Sequence, residues 1–175
     1  MIREFSAKAT ASNQKARTLF ISSTVLAFAF VAVASLVDKY RGIISLFGVL
    51  LMSVAIVIYN KYVSSVYYYD ITFDSEGTPL FVVRQIIGKR QSTICRIALY
   101  EIVKISKETS KERIAHKTPY EYRKYSYMPT LSPKASYRLT TSSRYEKAEI
   151  LIEVSDEFAS LLSEYVGAAK KMREE

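Results

Sequence analysis

Two stretches decide the fold: residues 18–37, TLFISSTVLAFAFVAVASLV, and residues 42–60, GIISLFGVLLMSVAIVIYN. They hold 20 and 19 residues without an acidic or basic side chain. At about 1.5 Å per residue, each reaches roughly 30 Å as a helix, the thickness of a hydrocarbon core. Leu19, Phe20, Ile21, Val25, Leu26, Phe28 and Phe30 cover every side of the first, leaving no polar stripe to face water. Between the stretches lie five residues, Asp38-Lys39-Tyr40-Arg41-Gly42, which suffice for a tight turn between antiparallel helices. The reading is a transmembrane hairpin over residues 18–63. A buried soluble hairpin would not carry two uncharged runs of this length. A cleaved leader ending at Ala32-Val33-Ala34 would have a shorter apolar run and a shorter N-terminal region.

Charge supports this division. The chain carries 25 Lys and Arg against 17 Asp and Glu, a net +8. Residues 1–17 contribute +3, residues 38–42 and Lys61 contribute +1 each, and residues 64–175 contribute +3. The excess sits beside the apolar runs, where cations meet anionic headgroups; this is not the uniform basic face of a nucleic-acid binder, so no nucleic acid is expected. Arg3, Lys8, Lys15, Arg17 and Lys61 flank the outer ends of the hairpin, against Lys39 and Arg41 in its turn. That asymmetry places both termini in the cytoplasm, residues 1–17 as a basic tail, in a multi-pass plasma-membrane protein. Cys95 is the single cysteine, so no intrachain disulfide can form.

From residue 66 the pattern alternates. Strands are expected over 66–74, 80–87, 91–98, 99–105, 135–141 and 147–154, with another between Tyr120 and Tyr127. Ser155 begins a terminal helix on which Phe158, Leu161, Leu162, Tyr165, Val166 and Ala169 make one apolar stripe. The opening residues Tyr69-Asp70-Ile71-Thr72-Phe73-Asp74, the central run from Ile97 to Ile105 and the strand-to-helix passage over 150–162 resemble the bacterial pleckstrin-homology-like (PH-like) domains of small membrane proteins. The resemblance covers roughly residues 64–170. It implies about seven antiparallel strands capped by the C-terminal helix, making residues 64–175 one PH-like β domain. The chain departs from lipid-binding relatives at the turn Asp74-Ser75-Glu76-Gly77, whose acids would repel an inositol phosphate.

Little points to catalysis. His116 is the single histidine, has no metal-ligand neighbours at suitable spacing, and reads as a solvated loop residue. No Gly-rich phosphate loop exists, and Asp156-Glu157 are explained as helix-start charges. No catalytic residue, metal or cofactor is expected. The candidate surface is residues 116–129, HKTPYEYRKYSYMP, where Tyr120, Tyr122, Arg123, Lys124, Tyr125 and Tyr127 interleave aromatic rings and cations. These residues either dock on a partner or a lipid surface, or form an amphipathic strand with its tyrosines on the sheet. At least two of the four tyrosines are expected to be exposed. The functional expectation is a non-enzymatic membrane-anchored adaptor that binds the bilayer and a protein partner. The alternative is a small accessory subunit of a membrane enzyme or transport assembly.

Overall fold

The computed structural model describes residues 2–9, 14–131, 133, 135–143 and 146–174. It contains two compact units: Ser12–Ser65, and Met1–Ala11 together with Val66–Glu175.

The first unit is the helical hairpin. Helix α1 spans Gln14–Leu36 and α2 spans Arg41–Ile58, joined by a 3-10 turn at Asp38–Tyr40; a π turn at Tyr59–Val63 ends the unit. Both helices are long and apolar enough to cross a membrane. Their large side chains point outward: Ile21, Val25, Phe28, Ile43, Val49 and Val57 are each more than half exposed. The buried positions on α1 are small, Ala16, Ser23, Ala27 and Ala34, and α2 buries Gly48, Ala55 and, at its end, Ile58. On α1 these positions are spaced seven, four and seven apart, the heptad rhythm of helices packed along a narrow seam. Gly48 sets the closest approach, because a β-carbon there would lie 3.2 Å from the Ala27 carbonyl oxygen and from Val31 Cγ2. Thr24 and Ser53 donate their hydroxyl hydrogens to carbonyls of their own helix at 2.8 and 2.9 Å, so these polar groups need no water.

The second unit is mainly β. One sheet runs β1 (Phe5–Lys8), β2 (Ser65–Phe73), β3 (Pro79–Ile87) and β4 (Arg90–Ala98) in that order. The other contains β5 (Ile102–Thr109), β6 (Arg123–Ser126), β7 (Ala135–Ser142) and β8 (Lys147–Ile152) in the order β5-β7-β8-β6. Alternation gives each strand one apolar face. Tyr69, Ile71, Phe81 and Val83 from the first sheet share a core with Ile102, Leu139, Ile150 and Ile152 from the second. Helix α4 (Asp156–Glu174) seals that core with Phe158, Leu162, Val166 and Ala169, while Leu161 and Tyr165 are only half buried. Ser155 Oγ accepts the Phe158 N–H at 3.2 Å and so caps the helix. Two turns use left-handed glycines: Gly77 (φ 77°), beside Asp74, whose Oδ1 accepts two backbone N–H groups, and Gly88 (φ 59°), the first of two loop residues between β3 and β4.

Three expectations need correction. Residues 1–17 are not simply a tail, because Phe5–Lys8 pair antiparallel with Tyr68–Ile71 and the Phe5 ring lies 5.7 Å from Phe158. The reason is edge protection: β1 covers the side of β2 that would otherwise be open. The hairpin is therefore inserted between two paired strands of the β unit, with the Ala9 N–H donating to the Tyr67 carbonyl at 3.0 Å where the chain leaves and returns. Among the described residues, 64–175 hold the seven strands expected and β1 adds one from the N-terminal segment, but not every pair is antiparallel: β6 runs parallel to β8. The segment after β5, which includes the short helix α3 (Ser110–Ala115), crosses the outer face of β7 and β8 and enters the far edge in the same direction as β8. Finally, Leu99–Glu101 form a 3-10 turn that carries the chain from the first sheet to the second, and β5 begins at Ile102.

Candidate functional site

β4 ends the first sheet and β6 ends the second. A cleft of about 280 Å³ lies where Ile94, Cys95 and Ile97 of β4 approach Tyr125 and Tyr127 of β6 and its flank, with Glu146 at the rim. Alternation puts Tyr125 on the cleft side of β6, and Tyr127 follows two residues on; their rings stack with centroids 6.2 Å apart and planes 8° from parallel. Tyr125 donates its hydroxyl hydrogen to Glu146 Oε1 at 2.8 Å, and Arg123 Nε approaches the same oxygen at 3.7 Å. Tyr127 is held at three points. Its N–H donates to the Leu151 carbonyl at 2.9 Å, its carbonyl accepts from the Tyr69 hydroxyl at 2.7 Å, and its own hydroxyl reaches the Ile94 carbonyl at 3.4 Å.

Burial governs the chemistry of this cleft. It pushes the Cys95 thiol up to about 11, more than the contact with Tyr127 lowers it, so the sulfur stays protonated at neutral pH and is a poor nucleophile. Burial, followed by the neighbouring Cys95 and Tyr125 groups, raises the Tyr127 phenol well above the usual range. The cleft therefore offers aromatic surface and a protonated thiol and phenol, with Arg96, Glu101 and Glu146 as its charged lining.

The structure divides the tyrosine segment in two. Tyr125 and Tyr127 are half buried along the cleft, whereas Tyr120 is fully exposed in the turn before β6. Tyr122 is half buried there, its N–H bonded to the Pro119 carbonyl at 2.9 Å and Lys147 Nζ 5.9 Å above its ring. Arg123 and Lys124 are exposed, and Lys124 makes no ion pair among the described residues. One tyrosine is thus exposed where at least two were expected. The regular strand starts only at Arg123, so Tyr120 and Tyr122 escape its alternation.

His116 holds a position that the sequence reading missed. Its Nε2 lies 3.0 Å from Glu149 Oε1, while Thr118 Oγ1 and an Arg138 terminal nitrogen donate to Glu149 Oε2 at 2.8 and 2.7 Å. Arg138 also bridges to Glu108 at 2.8 Å. Burial pushes the Glu149 carboxyl up, but hydrogen bonds from Thr118 and His116 and the charge of Arg138 outweigh it, leaving it below the ordinary range. These groups pin the α3 segment over the outer face of β7 and β8. The contacts span up to 33 residues, so local pattern held no sign of them. Among the described residues, no three His, Cys, Asp or Glu side chains converge as a metal site.

No protein-family model matches this chain, and no curated protein does.

Proposed function

We propose that this chain is a non-enzymatic, membrane-anchored adaptor whose PH-like β unit presents a partner-binding cleft at the inner face of the plasma membrane. Two four-stranded sheets closed by a C-terminal helix support the PH-like reading. The two apolar helices and the cations flanking their outer ends support the membrane placement, with both termini cytoplasmic. The insertion of the hairpin between β1 and β2 supports it further, because the N-terminal strand and the rest of the β unit must then share one side.

The observation that carries the adaptor reading is the cleft between the free edges of β4 and β6. An extended partner segment can add to a free edge through backbone hydrogen bonds and rest its side chains against Tyr125, Tyr127 and Ile94. Tyr120, Arg123 and Lys124 flank that edge as an aromatic and cationic rim. For the accessory-subunit reading, Ser23 and Gly48 are spent on the contact between α1 and α2, whereas Ser22, Ser35 and Ser53 stay exposed and could still seat a neighbouring helix.

Photo-crosslinking residues at Tyr120 and Lys124 test the proposal, with Ser160 on the exposed side of α4 as control. The expected outcome is one soluble protein captured from the first two positions and not from the third. Capture of an integral membrane protein in equal amount, or identical capture from Ser160, would replace the adaptor reading.

A further inference from the structure

The outer face of the first sheet carries a groove of about 420 Å³, which shares Arg96 of β4 with the cleft. Its charges are ordered by strand. Glu4, just before β1, and Asp70 on β2 are acidic, Arg84 on β3 and Arg96 on β4 are basic, and Asp70 and Arg84 meet as an ion pair where the two sets join. Pairing explains the arrangement: Ser6 faces Asp70 across β1 and β2, and Arg96 faces Val82 across β3 and β4. A bulge beside Arg84 shifts the register by one residue there and turns Arg84 opposite Thr93, another lining residue.

Asp70 is the second, independent observation. Its side chain is 2% exposed, and Oδ2 accepts from Arg84 Nε, yet Oδ1 has no hydrogen-bond partner among the described residues. A buried carboxylate oxygen without a donor is costly, so Oδ1 favours an added hydrogen-bond donor even though the charge of the group is paired with Arg84. On the other side, Arg84 remains about a third exposed, and Arg96 is exposed with no ion pair among the described residues. Two guanidinium forks approaching from adjacent strands suit a tetrahedral oxyanion, whereas a carboxylate is satisfied by one fork.

We propose that this groove binds a zwitterionic phosphate ester, the phosphate held by Arg84 and Arg96 and the ammonium lying toward Asp70 and Glu4. The chemistry is that of phosphoethanolamine, whether as a free metabolite or as a lipid headgroup. This site goes beyond the adaptor reading and does not depend on it.

Calorimetric titration of the full chain in mild detergent, with phosphoethanolamine, inorganic phosphate and ethanolamine as separate probes, tests it. Phosphoethanolamine is expected to bind at least about tenfold more tightly than either half, since each lost charged hydrogen bond is worth about that much. Arg96→Gln, at an exposed position, is expected to weaken phosphoethanolamine about tenfold. Glu4→Gln and Asp70→Asn are expected to reduce its advantage over inorganic phosphate. Because Asp70→Asn alters a buried pair and can disturb folding, the exposed Glu4→Gln carries that arm. Equal binding of inorganic phosphate and phosphoethanolamine, unchanged binding after Arg96→Gln, or no binding of any probe overturns the proposal. Repeating the titration in phosphatidylcholine and phosphatidylethanolamine nanodiscs separates the sources. Loss of phosphoethanolamine binding only in the latter assigns the site to a headgroup, and equal binding in both assigns it to the soluble compound.

Discussion

The hairpin and the β unit solve the same packing problem in opposite senses. In the β unit, large side chains such as Tyr69, Phe81 and Leu162 are fully buried, and exposed apolar residues such as Val103 and Ile114 are exceptions. In the hairpin, Phe28, Val25 and Ile21 face outward and the buried seam is mostly Ala, Ser and Gly, with Ile58 at the end of α2. Hydrophobic burial from water therefore organises the first, whereas close backbone approach organises the second, as happens where the surroundings are themselves apolar. The difference also explains why polar groups are handled differently. The hairpin folds its hydroxyls back on its own carbonyls, while the β unit builds a charge network from Glu108, Arg138 and Glu149 across three strands.

The largest test of this contrast is Phe158→Ala against Phe28→Ala. Phe158 is 3% exposed and its ring meets Phe5 and Tyr69 at centroid distances of 5.7 and 6.4 Å. Its truncation should cost about 3–5 kcal/mol. Chemical denaturation of the full chain in detergent, followed by the β circular-dichroism signal, should show that loss. Phe28→Ala, on the outward side of α1, should leave that transition unmoved. A Phe158→Ala protein as stable as the parent would mean that α4 does not close the core.

How much of this was legible beforehand depended on distance along the chain. The two apolar runs, the strands around Phe81 and Ile150 and the amphipathic helix after Ser155 are local patterns, and each is present where periodicity places it. The stripe on that helix is centred slightly differently: Phe158, Leu162, Val166 and Ala169 are buried, while Leu161 lies at its margin. What local pattern could not show was long-range pairing. Phe5 meets Ile71 across the whole hairpin, and a four-residue strand beside basic residues carries too little alternation to stand out. The site was half legible. Tyr125 and Tyr127 mark a half-buried strand, but that their partners would be Cys95 and Ile94 on the edge of another sheet depends on topology. Asp70 read as one residue of an opening strand, and its unmet oxygen exists only in three dimensions.

An intermediate effect probes the seam of the hairpin. Gly48→Leu forces a side chain against the Ala27 carbonyl and Val31, both already within 3.2 Å of a β-carbon. Overpacking of this kind costs about 1–3 kcal/mol. Titration with sodium dodecyl sulfate, followed by the helical signal, should show earlier separation of the helices. Gly42→Leu, where a β-carbon meets nothing within 4 Å, should titrate like the parent. Equal behaviour of the two variants would mean that close contact at Gly48 contributes nothing to the hairpin.

The smallest effect separates the two units by pH. Neither stretch 18–37 nor 42–60 contains an acidic or basic residue, so acid has no carboxylate or amine to titrate within them. The β unit depends on Glu149, which is held below the ordinary carboxylate range, as is Asp156 through its bonds with Lys107 and Tyr137. A carboxylate with a lowered folded value binds its proton more weakly in the folded state than in the unfolded one. Its stabilisation is complete above the unfolded value, roughly pH 4.5, and disappears as pH falls through the folded value. For Glu149 the effect is modest because burial opposes the hydrogen bonds that lower it. The β denaturation midpoint should therefore be level from pH 7 to about pH 5 and drop below that, taking the share of the helical signal from α4 with it and leaving the share from the hairpin unchanged. Glu149→Gln removes this carboxylate while keeping its shape, so it should lower the midpoint at pH 7 and make the acid drop shallower. Loss of the whole helical signal, α1 and α2 included, together with the β signal at one pH would show that the two units do not respond separately. A Glu149→Gln protein with the parent's full acid dependence would move that dependence from the Arg138 network to other carboxylates.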